Sequence, residues 1–79
     1  MKVKVLYFAQ FADIAGKTEE TLTTDEKSPE AVYAQVRTTY QFPHDFDKIQ
    51  VAINHQLAAH STPLNEGDEI AFLPPMTGG

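Results

Sequence analysis

Polar and apolar residues alternate from the start of the chain, with Val3, Val5 and Tyr7 on one parity and Lys2, Lys4 and Leu6 on the other. A period of two belongs to a strand with one buried face, so a strand is predicted here, running on apolar to Phe8. Phe11 to Ala15 predicts a short helical turn closed by Gly16, because glycine adopts the left-handed conformation that ends a helix. Glu20-Thr21-Leu22-Thr23 supplies a second, β-branched strand that returns beside the first as a hairpin. Ser28-Pro29-Glu30 then reads as an N-cap, a proline in the first helical position and an acidic first turn. Val32, Val36 and Tyr40 follow at i, i+4 and i+8, which predicts a helix of about three to four turns from Pro29 to Tyr40.

Gln41 to Lys48 shows no period and contains Pro43, His44, Asp45 and Asp47, so a loop is expected, with Phe42 and Phe46 folded back on the core. Alternation resumes over Ile49 to Ile53. Asn54-His55 suits a turn, and Gln56-Leu57-Ala58 returns as a short strand. Pro63 to Asp68 forms a turn that delivers the last strand, Glu69 to Leu73. The element order β, β, α, β, short β, β makes an α+β domain, a mixed sheet of four to five strands with one main helix packed on one face. One sheet face is then left uncovered. Some of Phe8, Leu57, Phe72 and Leu73 should be exposed there, and they are the candidate partner-binding residues. Ile70 and Phe72 share parity, so of Phe72 and Leu73 one belongs to the core and the other to a partner surface.

After the last strand come Pro74, Pro75, Met76, Thr77, Gly78 and Gly79. The prolines stiffen the chain and push it outward in an extended conformation. The stretch from Pro74 onward reaches about 20 Å at the maximum rise per residue. Glycine has no Cβ, so a di-glycine end passes a narrow channel and brings its backbone against a bound nucleotide where a side chain would collide. Residues 1–75 are therefore expected to form the domain and 76–79 a flexible tail. Pro74, Pro75, Met76, Thr77 and Gly78 make up the passage, and the Gly79 carboxylate is the reactive group.

Composition narrows the chemistry further. Seventy-nine residues make one domain. Cysteine is absent, which excludes disulfides, Cys-based zinc sites and any thiol nucleophile in this chain. Eleven acidic residues stand against six scattered basic ones, a net charge of -5 that disfavours nucleic acid. No long apolar run suggests a signal peptide or membrane span, so a cytoplasmic protein is expected. His44, His55 and His60 sit on separate loops and turns without the close spacing of zinc ligands, and no metal is expected. Glu19-Glu20, Asp25-Glu26, Glu66, Asp68 and Glu69 are expected on solvated turns and strand ends, since nothing in the sequence buries a carboxylate enough to shift its pKa.

Three segments carry a resemblance. Val51-Ala52-Ile53-Asn54, then Pro63-Leu64-x-x-Gly67-Asp68-Glu69-Ile70-Ala71-Phe72, then Pro74-Pro75-x-x-Gly78-Gly79 stand in the order and spacing of the ubiquitin-like β-grasp sulfur carriers, and most closely of the molybdopterin synthase small-subunit family. Phe8-Ala9-Gln10 and Gly16 resemble it as well, whereas Thr18 to Lys48 matches in element order only. The chain departs from the family in two places. Ala12-Asp13 stands where many members carry an Arg-Glu pair, and Leu73 stands where the residue is often aromatic.

The resemblance implies a chain that is carried rather than catalytic. An ATP-dependent activating enzyme would convert Gly79 to an acyl adenylate, and sulfur from an external persulfide would replace the adenylate. The resulting thiocarboxylate would enter the large synthase subunit and donate sulfur to cyclic pyranopterin monophosphate. The implied partners are that large subunit, in a heterotetramer, and the adenylating and sulfurating enzyme. This chain would bind no cofactor itself, the ATP being used by the activating enzyme. Three alternatives stand beside this reading: a sulfur carrier for thiamine or tRNA thiolation, a ubiquitin-like protein modifier whose Gly79 ends in an isopeptide bond, and a non-covalent docking domain.

Overall fold

Strand β1 (Lys2–Tyr7) buries Val3, Val5 and Tyr7 and turns Lys2, Lys4 and Leu6 to the opposite face, as its alternation requires. It ends one residue before Phe8, where Ala9 takes a positive φ of 50°. Helix α1 (Gln10–Ala15) follows, closed by Gly16 in the left-handed conformation, and then β2 (Glu19–Thr23), which pairs antiparallel with β1. Helix α2 spans Pro29–Tyr40, the bounds predicted from its cap and spacing. The Ser28 hydroxyl accepts from the Ala31 amide at 3.1 Å, satisfying one of the amide donors that a helix start leaves free.

Strands β3 (Gln50–Ile53), β4 (Gln56–Ala58) and β5 (Glu69–Leu73) complete a five-stranded sheet in the order β2-β1-β5-β3-β4. Strand β5 takes the centre, parallel to β1 and antiparallel to β3. With α2 packed on one side, this is the ubiquitin-like β-grasp arrangement. These elements come from a computed structural model, which describes residues 1–75. Among the described residues no helix is long and apolar enough to cross a membrane.

Parity across the pairings decides what is buried. Val5 lies beside Ile70, Tyr7 beside Phe72, Phe72 beside Val51 and Ile70 beside Ile53, so these side chains form one layer under α2. Phe72 is fully buried, with its ring 5.2 Å from that of Tyr33. The expectation that Phe72 belongs to the partner-binding surface is thereby corrected, because a side chain sealed under α2 is out of a partner's reach. Tyr33 itself falls outside the Val32, Val36, Tyr40 series yet sits at the heart of the core, with Phe11, Phe42 and Phe46 around it. The segment between α2 and β3 is less irregular than expected, since Phe46–Lys48 forms a turn of 3-10 helix. Ile49 is buried just ahead of β3, which starts one residue later than the alternation suggests.

One carboxylate departs from the solvated expectation. Glu20 projects from β2 toward the helix side, and its Oε2 accepts hydroxyl hydrogens from both Tyr7 and Tyr40, with Lys17 Nζ 3.8 Å from Oε1. Burial alone would raise its pKa, but the two hydroxyls and the ammonium outweigh it and hold the carboxyl below its usual 4.5. A lowered folded pKa adds stability above the unfolded value that is lost as pH falls through the folded one. Glu20→Gln should therefore cost about 1 to 2 kcal/mol at neutral pH, and the gap should narrow once pH drops below 4.5. Urea melts of both proteins at neutral pH and near pH 3 check this. An unchanged gap would mean that the two tyrosines do not favour the charged form.

Candidate functional site

The sheet face opposite α2 is open, and the register places its apolar residues in a row. Leu6 on β1 lies beside Ala71 on β5, Ala71 beside Ala52 on β3, and Ala52 beside Leu57 on β4. Phe8 and Leu73 flank this row around a shallow hollow of about 210 Å³. Leu57 is 69% exposed and Phe8 46%, while Leu73 is half-buried. Small alanines at the centre keep the strip flat, and the large residues stand at its ends. A flat apolar strip of this kind suits a protein surface better than a small molecule.

A charged row borders the strip. Lys4 Nζ lies 3.0 Å from Glu19 Oε2 and 3.9 Å from Glu69 Oε1, and His55 Nε2 lies 2.9 Å from Glu69 Oε2. The hydrogen bond and charge of Glu19, with the charge of Glu69, hold the Lys4 ammonium above its usual pKa. The row thus crosses β2, β1 and β5 and ends at His55 in the β3–β4 turn.

The turn that delivers β5 explains the Pro-Leu-x-x-Gly-Asp-Glu segment. Leu64 is buried in the core, and Gly67 takes a φ of 83°, a conformation that other residues adopt only under strain. Asp68 accepts from the Asn65 amide at 2.8 Å and from Asn54 Nδ2 at 3.1 Å. Asn54 also receives the Glu69 amide on its Oδ1 at 3.0 Å and gives its own amide to the Glu69 carbonyl at 2.8 Å. Asn54 therefore locks the start of the central strand to the β3–β4 turn. Downstream, β5 ends at Leu73, and Pro74 and Pro75 follow it outside the sheet.

The sequence-predicted residues distribute as follows. Phe8 and Leu73 line the hollow on the open face, Leu57 shares that face opposite Ala52, and Phe72 is not on it. Pro74 and Pro75 follow β5 directly and are half-buried, and Met76, Thr77, Gly78 and Gly79 lie outside the described residues. The histidines do not converge: His44 bonds Gln10, His60 bonds the Ile49 carbonyl and packs on Phe46, and His55 faces Glu69. Among the described residues no group of three or more His, Asp or Glu is placed to hold a metal ion. Leu6, Ala52 and Ala71 escaped the sequence reading. Their parity opposite Val5, Val51 and Ile70 was the available signal, but only the strand order sets them side by side.

Comparison with known proteins bears on this surface. The model of the ThiS family matches residues 5–79. The molybdopterin synthase sulfur carrier subunit of Haemophilus influenzae is 38% identical over 80 residues, spanning 98% of this chain and 99% of the relative. The protein of that name from Escherichia coli is 34% identical over 80 residues with the same coverage. Among solved structures, a chain in the complex of subunits 1 and 2 of the molybdopterin-converting factor from Helicobacter pylori resembles this one with a TM-score of 0.67, at 25% identity and over the full length of both chains.

Proposed function

The chain belongs to the ThiS family, and from that premise we propose that it is the sulfur-carrier subunit of molybdopterin synthase, acting in the cytoplasm. In this reading an activating enzyme spends ATP to turn the Gly79 carboxylate into an acyl adenylate, because a free carboxylate resists nucleophilic attack. A persulfide sulfur then displaces AMP, and reduction of the acyl disulfide by a thiol leaves the thiocarboxylate. Sulfur is delivered to cyclic pyranopterin monophosphate inside the large subunit, which supplies the pocket and the base in a heterotetramer of two such pairs.

The observation that carries the reading is the place of β5. It is the central strand, it lays Ala71, only 6% exposed, and the half-buried Leu73 along the floor of the open face, and it runs directly into Pro74 and Pro75. A partner seated on the strip therefore holds the root of the tail at a defined distance, and the remaining reach of about 20 Å sets how deep its reacting centre can lie. Support also comes from the two similar carrier subunits and from the Helicobacter pylori complex, in which a chain of this fold is found with a second subunit.

Reconstitution tests the proposal. The chain loaded as thiocarboxylate should give no product alone, and product formation should saturate as large subunit is added. Leu57→Asp leaves the core untouched, because Leu57 is 69% exposed. It should raise the concentration for half-saturation about tenfold or more, the loss of a buried apolar contact plus the cost of burying a charge. Product from the isolated chain, or an unchanged saturation curve for the Leu57 variant, would sink this reading.

A further inference from the structure

The two residues that connect β3 to β4 are Asn54 and His55, and both take positive φ, 52° and 71°. A two-residue hairpin turn of this kind favours glycine in its second position, where a Cβ is strained. Histidine stands there instead. Its ring projects onto the edge of the open face, where it lines the hollow shared with Leu6, Phe8 and Leu73. Strain kept at an exposed position points to a use for the side chain, since an exposed contact with Glu69 contributes little to stability.

The chemistry of the ring follows from its neighbours. Glu69 Oε2, 2.9 Å away, accepts the hydrogen on Nε2, and Lys4, shared between Glu69 and Glu19, keeps that carboxylate in place. A neutral imidazole that donates through Nε2 presents Nδ1 as an acceptor. We propose that His55 is a specificity-determining residue of the docking face, offering Nδ1 to a hydrogen-bond donor on the rim of the large subunit. The proposal rests on the reading that the large subunit covers the open face. The apolar strip, flat and built from small side chains at its centre, supplies area without direction. A directional acceptor at one end fixes how the partner is seated, and so where the tail enters.

Calorimetric titration of the large subunit with the unsubstituted chain, His55→Gly and His55→Gln tests this, together with a thermal melt of each. Glycine relaxes the turn, so His55→Gly should melt at the same temperature or higher, yet bind about five- to tenfold more weakly, the effect of one interface hydrogen bond. Glutamine carries both an amide donor for Glu69 and a carbonyl acceptor, so His55→Gln should recover most of the lost affinity. Unaltered binding by His55→Gly overturns the proposal, as does a parallel fall in its melting temperature and affinity. Failure of His55→Gln to recover binding overturns the acceptor assignment. If the unsubstituted chain does not bind at all, the docking reading itself fails, and this proposal with it.

Discussion

Deleting Gly79 should reduce sulfur transfer to the level seen without any carrier, while the truncated chain melts as the full one does. The chemical half of this expectation follows from what the residue is asked to supply. Its carboxylate would be the group that is adenylated, exchanged for a thiocarboxylate and presented to the substrate, and no cysteine elsewhere in the chain can take over as a sulfur-bearing nucleophile. Removing it leaves the Gly78 carboxylate one residue short, and a displacement of a few ångströms from an attacking geometry costs a large part of the rate. The structural half follows from where the core lies. Every side chain of the buried cluster, from Val3 to Phe72, comes before the tail, and terminal residues outside a core contribute little to stability. A reconstituted synthase assay beside a thermal melt decides both halves. Full activity of the truncated chain would end the carrier reading, and a collapsed melt would show that the end of the chain takes part in folding.

Phe72→Ala should cost about 3 to 5 kcal/mol of stability, as a large side chain removed from a sealed core. Phe72 is fully buried, lies between Tyr7 and Val51 in the central strand's register, and meets the Tyr33 ring of α2 from below. Its removal would leave a cavity at the point where sheet and helix meet. Against a total of about 5 to 15 kcal/mol for a small domain, such a loss brings the chain close to unfolding. Leu73, one residue on, points the other way and stands opposite Gln50 on the open face. Leu73→Ala should shift the melt far less and weaken binding of the large subunit instead. Urea melts of the two variants, read beside a titration with the large subunit, separate the roles. The opposite pattern would mean that the faces of β5 are assigned the wrong way round.

Much of this architecture is legible in local sequence. Helix α2 shows its start in Ser28-Pro29, because a hydroxyl and a ring-fixed φ are chemical requirements of a helix N-terminus, and its bounds are the predicted ones. Strands β4 and β5 likewise keep their predicted bounds, and Gly16 closes α1 in the left-handed conformation. Tyr33 and Glu20 were the harder cases. Tyr33 sits one step around α2 from the Val32 and Val36 series, and only the aromatic side chains arriving from Phe11, Phe42 and Phe46 give it a core to enter. Glu20 looks like any strand-edge carboxylate until Tyr7 and Tyr40, from two other elements, converge on it.

The amino-acid sequence by itself determined the elements and their alternation, because caps, turn glycines and period-two patterns act over a few residues and need no distant partner. It also bounded the chemistry, because a chain without cysteine has no thiol nucleophile of its own. Tertiary structure alone decided which face of β5 is covered. Alternation says that Phe72 and Leu73 point apart, but the parallel pairing with β1 and the antiparallel pairing with β3 bring Phe72 under α2 and align Leu6, Ala71, Ala52 and Leu57 into one open strip. The physical reason is that a surface is a property of neighbours across strands. Residues separated by tens of positions share a face only once hydrogen-bond register sets them about 5 Å apart.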